Sequence, residues 1–308
     1  MVRKLFNTIE EEIKVLKQER GALIVAHNYQ AGEIQDVADC LGDSLLLAKE
    51  AVKSEARVIL FAGVRFMAET TKILAPEKMV LLPDPEAGCS LADMVTPEQV
   101  REWKKTHPNG VVLSYINTSA AVKAESDYCC TSTNAERVLA AIPEDKEVLF
   151  VPDFFLGSYL KMKSGRPIHL WKGYCPAHTL IDSDHIVALK TAHPKAEFVM
   201  HPECGCLTKS MHLADRVTST DGMIHHVQHS PSKEFIVATE TGILYRMRKE
   251  NPDKTFYAAG EQAICSHMRR NTLEKIVASL ETLEVQIEVP QEIARRARVP
   301  LQRMMTIG

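Results

Sequence analysis

Short runs of Val, Ile, Leu and Phe recur along the chain, each ending in polar residues and each followed by an amphipathic stretch. Strands buried on both faces read as such continuous runs, so the pattern predicts α/β units built around parallel sheet. The pattern repeats with a period of roughly 87 residues. A helical stretch closing in Thr106-His107-Pro108 matches one closing in Ala192-His193-Pro194, and the stretch Met1–Arg20 takes the same place at the start. Pro or Gly stands just past each end, as a helix stop requires. Each helix feeds a first strand, at 22–27, 110–115 and 196–201. Second strands follow at 58–61, 148–151 and 235–238, and third strands near 79, 167 and 255. The chain thus divides into repeats 1–94, 95–181 and 182–270, with an extension 271–308 expected to pack on the first repeat. That extension reads as a helix, a short strand and a basic final helix with Arg295, Arg296 and Arg298.

Aligned copies place three columns at the carboxyl ends of strands, where parallel sheets bind ligands. His27, Tyr115 and His201 are spaced by 88 and 86 residues; Ser44, Ser132 and Thr220 by 88 and 88; Cys89, Cys175 and Cys265 by 86 and 90. The hydroxyl column precedes helical runs, so each member is a candidate N-cap. Three helix starts aimed at one point would instead cradle an anion without Arg or Lys. Around a pseudo-threefold axis the cysteine loops would meet, and three thiolates from distant loops suit a [4Fe–4S] cluster with one iron free of protein ligands. Structural zinc sites draw paired ligands from close in sequence, and these three are not paired.

Composition narrows the class. Of 308 residues, 45% are hydrophobic and 25% charged, with net charge −3, which excludes a disordered chain and offers no basic field for nucleic acid. The apolar runs are strand-length, too short for a membrane, and the N-terminal stretch lacks the features of a signal peptide. A cytoplasmic protein is expected, so the eight cysteines are free thiols, redox groups or metal ligands. Cys40 reads as helical core and one of Cys129 and Cys130 as buried, while Cys204 and Cys206 near the site are a redox pair, spare ligands or incidental. His225, His226 and His229 read as a solvated helix face, and His107 and His193 as helix-end residues that complement the dipole.

The motifs Ala26-His27-Asn28-Tyr29-Gln30, Gly42-Asp43-Ser44-Leu45, Tyr115-Ile116-Asn117, Cys130-Thr131-Ser132-Thr133-Asn134, Tyr174-Cys175-Pro176-Ala177-His178, His201-Pro202-Glu203-Cys204 and Asn271-Thr272-Leu273-Glu274, in this order along the whole chain, resemble the quinolinate synthase family. The resemblance implies three similar small αβα-layer domains with parallel sheets around a pseudo-threefold axis, and an active site at the centre. It implies that Cys89, Cys175 and Cys265 hold a [4Fe–4S] cluster. It also implies condensation of iminoaspartate with dihydroxyacetone phosphate to quinolinate for NAD biosynthesis, with an aspartate-oxidising enzyme as supplier of iminoaspartate. On that reading Ser44, Tyr115, Asn117, Ser132, Ser219 and Thr220 bind substrate together with His27, His201 and Glu203. Glu203 and Tyr29 are the expected general acid and base, with His27, His178 and His201 as further proton-transfer groups. Two departures stand out. Asp221 is an acid beside the anion cradle, and Cys265 is followed by Ser266-His267-Met268 rather than by further cysteines. The competing expectations are a non-catalytic dicarboxylate-binding α/β protein and a zinc enzyme using His and Cys at the same centre.

Overall fold

The computed structural model describes residues 6–307. It contains three separate four-stranded sheets, each entirely parallel. The first holds β1 (Ala22–His27), β2 (Cys40–Gly42), β3 (Val58–Ala62) and β4 (Met79–Leu81). The second holds β5 (Gly110–Tyr115), β6 (Tyr128–Cys130), β7 (Glu147–Val151) and β8 (Ile168–Leu170). The third holds β9 (Glu197–Met200), β10 (Arg216–Val217), β11 (Glu234–Ala238) and β12 (Thr255–Ala258). All three share one spatial order: second strand, first, third, fourth. The fold is therefore three similar α/β units. The apolar runs become central strands buried on both faces, such as β3, every residue of which is buried.

Two details differ from the sequence reading. The short edge strands β2, β6 and β10 have two or three residues each and carry no alternation of their own. Cys40, expected on a helix, opens one of them. At the chain start, Met1–Leu5 lie outside the described residues, and the helix runs Ile9–Arg20 under a Thr8 N-cap.

Helices that follow the three cysteines explain how the units lock together. Pro97–Thr106, Ser183–Ala192 and Leu273–Thr282 each begin eight residues after Cys89, Cys175 and Cys265. Their N-caps are Thr96, Asp182 and Thr272, each side chain accepting a bond from a first-turn amide. Each packs on the unit that follows. Val100 of the first joins Val112 and Leu149 of the second sheet, the second lies on β11, and the third returns to β3 and helix Ile9–Arg20 of the first unit. By spacing, the third partner of this set is Leu273–Thr282 rather than the N-terminal helix.

The extension is divided between units. Beyond Leu273–Thr282, an antiparallel bridge of Leu81 with Gln286 extends the edge of β4. The final helix Gln291–Ile307 then lies chiefly against helix Ala120–Glu125 and β6 of the second unit and helix Arg65–Leu74 of the first. It does not rest on the first repeat alone. Among the described residues no helix is long and apolar enough to cross a membrane.

Candidate active site

The carboxyl ends of all three sheets open onto one central cavity of about 260 Å³. Each first strand delivers two wall residues separated by one position at its carboxyl end: His27 and Tyr29 at β1, Tyr115 and Asn117 at β5, His201 and Glu203 at β9. Ser44, Ser132 and Thr220 also line it, as do Cys89, Cys175, Cys265 and His178. Every residue named from the sequence for this centre therefore reaches the wall except Ser219. Ser219 instead caps helix Thr220–His229, its hydroxyl accepting from the Gly222 amide.

The hydroxyl column does not act as N-caps. The residue before it does so in two of the three units: Asp43 accepts from the Leu45 and Leu46 amides, and Ser219 holds the start of the next helix. That frees Ser44 and Thr220, each at the first helical position, to face the cavity. The three cap regions touch, because the Thr133 hydroxyl donates to the Asp43 carboxylate and lies 2.8 Å from Ser219 Oγ. One residue from each unit thus meets at one point. Asp221 turns away from the cavity. Its carboxylate accepts from Asn28 Nδ2 at 2.8 Å and from the Asp43 amide at 3.0 Å, so it ties the third unit to the first.

The cavity wall also carries a buried network of imidazoles, phenol and carboxylate. Glu203 Oε2 sits 3.5 Å from His178 Nδ1 and 3.4 Å from His201 Nδ1. His201 Nδ1 accepts from the Glu203 amide, so its Nε2–H points at Ser132 Oγ, 3.1 Å away. His27 Nδ1 likewise accepts from the Tyr29 amide at 3.2 Å. The Tyr29 hydroxyl lies 2.5 Å from Thr239 Oγ1 and 3.3 Å from His178 Nε2. Burial pushes His27 down to about 3 and His178 to about 4, and holds His201 well below its ordinary value. All three are neutral imidazoles at neutral pH. Burial pushes the Glu203 carboxyl up to about 7 and both Tyr29 and Tyr115 well above the usual phenol range. Glu203 is thus poised between its two protonation states at neutral pH, as a proton-transfer group should be. Glu203 Oε1 and His178 Nδ1 have no hydrogen-bond partner although both are buried. Such orphans cost about 1–3 kcal/mol each and mark where a polar ligand would bond.

The cysteine loops are alike. Each sulfur is followed, three positions on, by a single 3₁₀ turn: Ala92–Met94, His178–Leu180 and Met268–Arg270. Backbone amides at the start of each turn favour the thiolate of its own cysteine: Leu91 and Ala92 for Cys89, His178 for Cys175, and His267 and Met268 for Cys265. Burial, and then the neighbouring charges, raise all three thiols, Cys89 to about 12. Cys89 and Cys265 both act on Cys175. A cationic centre among them would reverse that penalty, and amide donors to sulfur are what an iron–sulfur site uses. Among the described residues, the groups of three or more ligand atoms within 4.8 Å of one another do not include the three cysteines. Sulfurs sharing one tetrahedral zinc would sit only about 3.8 Å apart, closer than this spacing. No His–Cys mixture forms such a group either. His178, His201 and Glu203 do, but the lone pair of His201 Nδ1 is already taken by the Glu203 amide.

One wall residue, Glu240, and its neighbour Thr239 escaped the sequence reading. Thr239, just past β11, positions Tyr29 and His178, and Glu240 accepts from the Cys265 and Gly242 amides at 3.1 and 2.6 Å. Their counterparts past β3 and β7 are Gly63-Val64 and Pro152-Asp153, so no column of like chemistry flags Thr239. Of the remaining cysteines, Cys129, Cys130, Cys204 and Cys206 are buried. His225 and His229 are exposed on their helix face.

The family NadA, described as Quinolinate synthetase A protein, matches residues 11–306. A quinolinate synthase of Thermus thermophilus is 48% identical over 310 residues, covering 100% of both chains. One from Pyrobaculum aerophilum is 49% identical over 96% of this chain and 98% of its own. Quinolinate synthase 2 of Methanosarcina acetivorans is 48% identical over 97% of this chain and 96% of its own.

Proposed function

The chain belongs to the NadA family, and from that premise we propose that it is an enzyme condensing iminoaspartate with dihydroxyacetone phosphate to quinolinate, releasing phosphate and two waters, for NAD biosynthesis in the cytoplasm. The observation that carries the reading is convergence. Three cysteine loops and three differently furnished strand ends, one of each per unit, share a single cavity.

Cys89, Cys175 and Cys265 would hold a [4Fe–4S] cluster, which when bound supplies a Lewis acid at its open iron for a poorly leaving hydroxyl. The chain's own residues do the rest. Ser44, Ser132 and Thr220, with Asn117, offer neutral donors to carboxylates and phosphate. His27 and His201 present N–H groups without adding charge. Glu203 and Tyr29 move protons in the tautomerisation and dehydration steps, with His178 between them and Thr239 fixing both Tyr29 and His178. Iminoaspartate would come from an aspartate-oxidising enzyme.

The test is an anaerobic assay of the iron-loaded protein with iminoaspartate and dihydroxyacetone phosphate. Quinolinate should form at a rate proportional to enzyme. A protein with full iron and sulfide content that makes none would overturn the proposal.

A further inference from the structure

Away from the cavity, at the side of the second unit, three side chains converge on solvent. His107 ends helix Pro97–Thr106, Glu147 opens β7, and His169 is the middle residue of β8. One ligand atom from each lies within 4.8 Å of the other two. Glu147 Oε2 is 3.1 Å from His169 Nε2 and 3.9 Å from His107 Nε2.

The His107 ring is held in a ligating posture. Its Nδ1 lies 2.9 Å from both the Trp103 carbonyl and the Thr106 hydroxyl; with that hydroxyl donating to the same carbonyl, Nδ1–H is the donor the arrangement calls for. The Nε2 lone pair is then turned to the cluster, which is how a second bond orients a metal-binding imidazole. The ring also stacks on the Trp103 indole, with centroids 4.3 Å apart and planes 8° from parallel. Trp103 in turn packs against Gly110, where a Cβ would stand 2.4 Å from the indole.

The third unit supplies an internal control. His193 ends helix Ser183–Ala192, Glu234 opens β11, and Tyr257 on β12 holds the register position of His169 on β8. His193 Nδ1 lies 3.5 Å from Glu234 Oε2, the Tyr257 hydroxyl donates to the same oxygen at 3.3 Å, and the two rings stack 3.8 Å apart. A His–Glu pair at this corner is therefore a packing feature that the fold uses without needing an ion. What is particular to the second unit is an imidazole where the third has a phenol. Two imidazoles and a carboxylate, partly exposed, are the donor set of borderline divalent cations.

We infer that His107, Glu147 and His169 form a surface site for a divalent cation of the zinc class, clamping the helix that follows the Cys89 loop to the second sheet. The corresponding corner of the third unit binds none.

The cluster-loaded protein, kept anaerobic, is titrated with Ni²⁺ while tryptophan emission is followed, and dialysed in parallel against Zn²⁺. Because Trp103 stacks on His107, bound Ni²⁺ should quench emission saturably and chelator should reverse it. Affinity for both ions should fall about tenfold or more in His107→Gln and in His169→Gln. His169→Tyr, which copies the third unit's packing, should lose the site while retaining iron content and far-UV circular dichroism. His193→Gln should bind both ions as wild type does. Equal affinity in wild type and His169→Tyr, or wild-type binding weaker than about 1 mM, would overturn the inference.

Discussion

The central cavity has two walls built to different rules. On the cysteine side the three units are near copies: a sulfur, a 3₁₀ turn three positions on, and a capped helix eight positions on. On the strand-end side they diverge: His27 with Tyr29, Tyr115 with Asn117, and His201 with Glu203. A cubane bound by three cysteines presents three equivalent irons around one open position, so a threefold arrangement suits it. Substrates lack that symmetry, and the wall that would meet them has lost it. On the proposed reading, the repeated scaffold places the cysteines and the unlike strand ends of the three units carry the chemistry.

This contrast can be broken by substitution, beginning with the largest effect. Alanine at Cys89, Cys175 or Cys265 should abolish iron incorporation to the same extent in each case, measured as iron and acid-labile sulfide per chain. One dispensable cysteine would break the equivalence. On the other wall the same kind of change should give unequal results. Glu203→Gln should lower kcat by roughly 10²–10⁴-fold with iron content unchanged, measured by anaerobic turnover. Asn117→Ala, removing one neutral donor, should act mainly on KM, by about 1–3 kcal/mol of binding. The smallest effect belongs to the scaffold: Thr96→Ala removes a capping box and should cost about 1 kcal/mol in denaturant unfolding while sparing iron and turnover.

The same contrast explains what could be read from the chain alone. Columns spaced by one repeat length found the cysteines, the hydroxyls and the first-strand ends, because symmetry leaves like residues at like positions. It failed where the units differ or where elements are short. Thr239 stands against Gly63 and Pro152, so nothing in the repeat singles it out. The two-residue strand β10 is defined by its pairing with β9, which periodicity does not reveal. Asp43-Ser44 and Ser219-Thr220 each offer two capping side chains in a row, and only the fold shows that the first of each pair caps while the second faces the cavity. The final helix crosses to the second unit because its apolar face meets Ala120–Glu125 there, a long-range packing choice with no local signature.

Convergence of the three cysteine loops on one cluster is the central claim, and metal and sulfide analysis of anaerobically purified wild-type protein addresses it most directly. The account predicts about four irons and four acid-labile sulfides per chain, the composition of a [4Fe–4S] cluster. A fully folded, active protein holding a single metal ion at these cysteines and no labile sulfide would contradict it.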